Sequence, residues 1–177
     1  MIRLARGDAA GAVADAEAAL TRAREVGEPQ LLHPVLGIAA QVFLDAGRRS
    51  DAQLLADEQT AVGPTPSGFM TFALVLTALD RPAEVLAAAE AAALSTPWID
   101  AGRAYAEGDP VRAAELLAGI GDRTDEAYVR LRAAERLASE GRRGDADDQL
   151  EMALSFYRLV GATRYIREGE ALLAATA

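Results

Sequence analysis

Four glycines in this chain are each followed, five positions later, by an alanine at the start of an alanine-rich amphipathic stretch: Gly7 and Ala12, Gly47 and Ala52, Gly108 and Ala113, Gly141 and Ala146. Such a recurrence restricts the chain to a row of similar helical hairpins, because a unit this small cannot bury its apolar face alone. The glycines lie 40, 61 and 33 residues apart. The middle interval divides into 33 and 28 if a degenerate member sits at Asp80, with Val85 in the alanine's place and Pro82 matching Pro110 two residues past its anchor. Five units follow, anchored at 7, 47, 80, 108 and 141. Two helices and a tight turn need about 30 to 45 residues, so each interval holds one hairpin.

Local signals agree with that register. Prolines mark helix starts at Pro29, Pro66, Pro82, Pro97 and Pro110, where the missing N–H has no intrahelical partner. A Thr or Asp before three of them, at Thr65, Thr96 and Asp109, supplies a cap, and Ser50 with Gln53 reads as a capping box. Gly27, Gly47, Gly63, Gly108, Gly121, Gly141 and Gly161 read as left-handed stops. The expected helices are 8–26, 30–46, 51–62, 66–79, 82–94, 97–107, 110–118, 124–140, 144–159 and 163–175. No segment alternates β-branched and polar residues for long, so the class is all-α, a single domain over residues 1–177. The stretch FMTFALVLTAL, 69–79, is apolar all round, as a helix covered on several sides must be, and it falls in the middle unit. The last helix interleaves charges with Tyr165, Ile166, Leu172 and Leu173, as a terminal capping helix should.

Charge and residue usage narrow the function classes. All 18 basic residues are Arg against 27 acidic ones, a net charge of −9, which disfavours nucleic acid and anionic membrane as partners. Cysteine is absent, so there is no thiolate nucleophile and no thiolate-bound metal. The longest uncharged run, 59–79, is broken by Gly63, Pro64, Pro66 and Gly68, leaving too few apolar residues to span a bilayer. A cytoplasmic location is the expectation.

With the anchor placed in the inter-helix turn, the units resemble tetratricopeptide repeats. Seven before the anchor, where a small residue lets the helices approach, stand Ala40, Ala73, Ala101 and Ala134. Four before it, where the family has a large residue, stand Phe43, Leu76 and Leu137, with Ala104 departing from the pattern. Twelve and thirteen after it, Ala19-Leu20 and Ala153-Leu154 match the family's Ala and hydrophobe. The resemblance covers nearly the whole chain and implies a right-handed α-α superhelix, a tetratricopeptide-like solenoid of about five hairpins and roughly ten helices. The segments 156–175 and 27–48 also resemble C-terminal helical-repeat regions of large actinobacterial signalling proteins with upstream cyclase or AAA-type ATPase modules, and of LuxR-type regulators. None of those modules occurs here. Residues 1–6 read as the tail of a first-unit helix, giving the expectation of a C-terminal piece of a longer protein.

Few residues suggest chemistry. His33 is the lone histidine and lacks partner ligands for a metal. Asp145, Asp147, Asp148 and Glu151 open a helix, where carboxylates favour the positive dipole end, without the alternation of a calcium loop. Gly119 and Gly121 form a turn. No nucleophile, base and orienting acid can be assembled, so catalytic, cofactor-binding and metal residues are all expected to be absent.

The tetratricopeptide resemblance implies that ligand-facing positions lie ten and six before each anchor. They nominate an apolar groove containing Gln41, Met70, Leu74, Trp98, Leu131 and Glu135, with Tyr105 and Tyr128 nearby and a basic rim at Arg130, Arg132 and Arg136. The alternative is that these residues pack the hairpins together. The expected function is a non-catalytic interaction or regulatory module that docks a protein, a peptide or upstream domains of its own polypeptide. Self-assembly as a homodimer and peptide or small-molecule sensing are the alternatives.

Overall fold

The computed structural model describes residues 1–176 and is all-α, with no strand among them. Eleven α-helices and one 3₁₀ turn follow in order: α1 Ile2–Ala5, α2 Ala9–Val26, α3 Pro29–Asp45, α4 Arg49–Val62, the turn Pro66–Gly68, α5 Phe69–Ala78, α6 Pro82–Ala91, α7 Pro97–Ala106, α8 Pro110–Gly119, α9 Arg123–Ser139, α10 Arg143–Val160 and α11 Thr163–Thr176.

The anchors are chemically one turn used five times. φ is positive at Gly7, Gly47, Asp80, Gly108 and Gly141, and Asp80, at 64°, is the sole non-glycine with positive φ among the described residues. At each, the anchor N–H donates to the carbonyl three residues back and the next N–H to the carbonyl five back. Thus Gly47 N reaches Leu44 O at 2.9 Å and Arg48 N reaches Phe43 O at 2.7 Å, while Asp80 N reaches Thr77 O at 3.1 Å and Arg81 N reaches Leu76 O at 2.8 Å. This pairing satisfies the last free carbonyls of the first helix and requires a left-handed residue between the two donors. Aspartate tolerates that conformation better than most residues, and here its carboxylate also meets Arg49 of the preceding hairpin at 2.8 Å.

Small residues then set the helix spacing. Ala40, Ala73, Ala101 and Ala134, and the five-after positions Ala12, Ala52, Val85, Ala113 and Ala146, are all buried. Each even-numbered helix packs on the odd-numbered helix before and after it, and α5 also packs on both α3 and α7. The result is two layers, with the odd helices inside. Gly102 shows how close that inner packing is: a Cβ there would fall 2.7 Å from Phe69 Cδ1. The core runs from Leu4 through the apolar α5 to Leu154 and Tyr165. The last helix lies against the first, where the Thr163 hydroxyl donates to Arg6 O at 3.2 Å and Arg164 Nη2 donates to Asp45 O at 3.3 Å.

Several local expectations shift. Pro66 opens a 3₁₀ turn, so α5 starts at Phe69, and α6 stops at Ala91 when Ala92 turns extended. Ser50 lies inside α4, which begins at Arg49 and has no side-chain cap, so the capping box does not form. The caps at Thr65, Thr96 and Asp109 do form, as does one at Asp122 ahead of α9.

Candidate functional site

On the inner layer, the ends of α5 and α7 and the middle of α9 enclose a cleft of about 480 Å³. Thr77 comes from α5, Tyr105 from α7, and Arg132, Glu135, Arg136 and Ser139 from α9. The α9 residues sit at i, i+3, i+4 and i+7, one polar stripe opposite the buried Ala127, Leu131 and Ala134. Arg132 is the hub. Its Nη1 pairs with Glu135 at 2.9 Å, its Nη2 pairs with Glu168 on α11, and its guanidinium lies 5.1 Å from the Tyr128 ring centre. Arg136 donates from Nε to Glu140 at 2.8 Å and from Nη1 to the Gly108 carbonyl.

The electrostatics follow from burial. It works against the Arg132 charge, but Tyr128, Glu135 and Glu168 together hold its pKa above the ordinary value. Glu135 moves upward because desolvation outweighs Arg132, and burial also raises Tyr105. Arg132 Nε and Thr77 Oγ1 are buried and have no hydrogen-bond partner among the described residues, as is true of Asp45 Oδ2 and the Tyr157 and Tyr165 hydroxyls. Asp45 reaches the same region through Arg164 at 3.4 Å, and its own pKa is raised by burial. A cleft of this make-up offers donors and acceptors for hydrogen bonding to a guest.

The nominated residues divide. Tyr105, Arg132, Glu135 and Arg136 line the cleft together, which is therefore polar and of mixed charge where the sequence suggested an apolar groove. Met70, Leu74 and Leu131 are buried in the core and face no groove. Gln41, only 7% exposed, and Tyr128 line a separate pocket beside α11. Trp98 is half-buried against the Met70 cluster, and its Nε1 donates to the capping Asp122 at 3.2 Å. Arg130 is a core-facing side chain, held by Glu126 at 2.8 Å and by Gln149 on α10 at 2.7 Å, so the basic rim reduces to Arg132 and Arg136. The physical reason is rotation about the helix axes: Gln41, Met70, Leu74 and Leu131, at positions ten or six before an anchor, turn into neighbouring helices, while Arg132 and Arg136, nine and five before the last anchor, and Thr77 and Tyr105, three before theirs, reach the cleft.

Sequence reasoning missed Thr77, Ser139, Asp45, Arg164 and Glu168. Arg164 and Glu168 lie four apart on one face of α11, a legible stripe, but nothing in the sequence tells that α11 returns to α3. His33 is half-buried on α3. Asp145 in the first turn of α10 pairs with Arg142 at 2.7 Å, and no group of three or more metal-ligating side chains gathers among the described residues.

On the outer face, the 63–68 connection and the short α6 leave an apolar cleft of about 610 Å³, floored by Phe69, Phe72 and Ile99 and walled by Ala88, Ala91 and Leu94. Thr60 and Glu84 are its polar lining residues. No helix among the described residues is long and apolar enough to cross a membrane. Compared with known proteins, the chain matches no family model, no curated protein and no solved structure.

Proposed function

We propose that this chain is a non-catalytic recognition module of tetratricopeptide-like hairpins, which receives a polar segment of a partner protein in the inner cleft. The observation that carries the reading is the convergence of Tyr105, Arg132, Glu135 and Arg136, contributed by two successive hairpins, on one open cleft. Recognition by such a surface combines an aromatic side chain with charged groups that fix the register of the guest. Tyr105 supplies the apolar contact, Arg136 a half-exposed charge at the mouth, and the half-buried Arg132 a guanidinium already oriented by Glu135 and Glu168. Pre-orientation matters because a guest then meets a site whose ordering cost is already met by folding. The outer apolar cleft offers area but only two polar lining residues to set direction.

Peptide-display selection against the folded chain tests this. Enriched peptides should bind at least tenfold more weakly to Tyr105→Ala and to Arg136→Glu, while both variants keep the parent's helical circular dichroism. Selected peptides that bind both variants as well as the parent would rule out the cleft as the recognition site.

A further inference from the structure

All four tyrosines of the chain lie around Arg132, and three of them, Tyr128, Tyr157 and Tyr165, wall a second pocket on the far side of α9. Tyr157 and Tyr165 stack at 4.8 Å between ring centres, and Tyr165 meets Tyr128 edge to face at 6.0 Å. Phe156 continues the cluster, 5.9 Å from Tyr157. The pocket holds about 230 Å³, closed on its other side by Gln41 and the first turn of α1. One carboxylate faces this aromatic wall, that of Asp125 in the first turn of α9.

Asp125 is out of keeping with its surroundings. Its backbone N–H donates to the capping Asp122, but its carboxylate has no ion-pair or hydrogen-bond partner among the described residues. The charged and titratable groups that face it are few. Asp122 repels it, the phenols of Tyr128, Tyr157 and Tyr165 are neutral, and the guanidiniums of Arg123, Arg132 and Arg164 stand 5.4, 5.1 and 5.7 Å from the ring centres of Phe156, Tyr128 and Tyr165 without an ion pair to Asp125 among the described residues. The Met1 amino group, on the α1 wall, makes no ion pair with it. Burial raises all three phenols, Tyr165 to about 12, so none supplies a second negative charge near neutral pH. An unpaired carboxylate in an apolar aromatic pocket is the complement of one kind of guest: a compact cation with apolar substituents.

We infer that the pocket walled by Tyr128, Tyr157, Tyr165 and Phe156 binds an organic ammonium group, with the Asp125 carboxylate as its counter-ion. The aromatic rings attract the cation through their negative faces, and the alkyl substituents fill a space below the size of drug-sized pockets. Ring faces and apolar walls favour an organic ammonium with alkyl substituents over a sodium or potassium ion that keeps its water shell. The pocket shares no lining residue with the inner cleft, and the inference does not rest on the peptide reading above.

The test uses the whole chain with any purification tag at the C-terminus, leaving Met1 unextended. Calorimetric titration with n-butylammonium and tetramethylammonium chloride should give saturable binding, where n-butanol and sodium butyrate at matched ionic strength give none. Asp125→Asn should weaken ammonium binding at least tenfold at pH 8 while melting no lower than the parent. Parent affinity should fall as the pH drops from 8 to 5 and the carboxylate takes up a proton. Arg136→Glu, in the other cleft, should bind ammonium as the parent does. A short peptide carrying lysine or trimethyl-lysine that outcompetes butylammonium identifies the guest as a protein side chain; free amines binding alone identify a small metabolite. Butanol binding as well as butylammonium, or an unchanged affinity in Asp125→Asn, would overturn the proposal.

Discussion

Asp125→Asn is expected to stabilise the empty protein, and the pH dependence of that gain is diagnostic. Burial, and secondarily the charge of Asp122, raise the Asp125 pKa from 3.8 to about 6. A carboxylate whose folded pKa lies above its unfolded value favours the unfolded state wherever it is ionised. The penalty is absent below the unfolded pKa, grows between about pH 4 and pH 6, and is constant above. A rise of this size corresponds to about 3 kcal/mol, and screening at the solvent side of the carboxylate reduces this to about 2 kcal/mol. Asparagine keeps the shape without the charge. Its advantage should therefore be about 2 kcal/mol at pH 7.5, or about 4 to 8 °C in melting temperature for a chain of this size, and under about 0.5 kcal/mol at pH 4. Trp98, the single tryptophan, reports the transition from close by, because its indole is bonded to Asp122. Urea unfolding of parent and variant at the two pH values measures the difference. Equal stabilities at pH 7.5, or a gain that persists undiminished at pH 4, would refute the claim that this carboxylate is desolvated and unpaired.

Other perturbations test the fold. Replacing Asp80 by alanine should cost about 1 kcal/mol, because the left-handed turn remains while the residue's tolerance for it falls, whereas Asp80→Gly should unfold within about 0.5 kcal/mol of the parent; chemical denaturation of the pair decides. Gly102→Ala drives a methyl into Phe69 and should destabilise by about 1 to 3 kcal/mol, read by thermal circular dichroism. Ala113→Leu, at a fully buried helix contact, should cost a similar amount, also about 1 to 3 kcal/mol. Trp98→Ala should lower stability by about 2 kcal/mol through lost packing and the lost bond to Asp122, while peptide binding by the folded fraction stays intact.

Much of the architecture is legible in the sequence because it is local. A turn that needs a left-handed residue, a small side chain where helices cross and a proline at a helix start each act within a few residues, and even the degenerate anchor at Asp80 shows the expected backbone. The candidate site is less legible because it depends on rotation. One position along a helix turns a side chain by about 100°, enough to move Leu131 into the core and Arg132 into the cleft. Contacts across long separations are invisible for the same reason: Arg164 meets Asp45 only because the array brings α11 back to α3. Asp125 offered no signal, since an acidic residue in a first helical turn is ordinary and its apolar surroundings come from three other helices.

Guest recognition at the inner cleft is tested most directly by amide chemical-shift mapping of the ¹⁵N-labelled chain with a display-selected peptide. The largest shifts should fall at Thr77, Tyr105, Arg132, Glu135 and Ser139. Shifts confined to Phe72, Ala88, Ala91 and Leu94 would move recognition to the outer apolar cleft and contradict it.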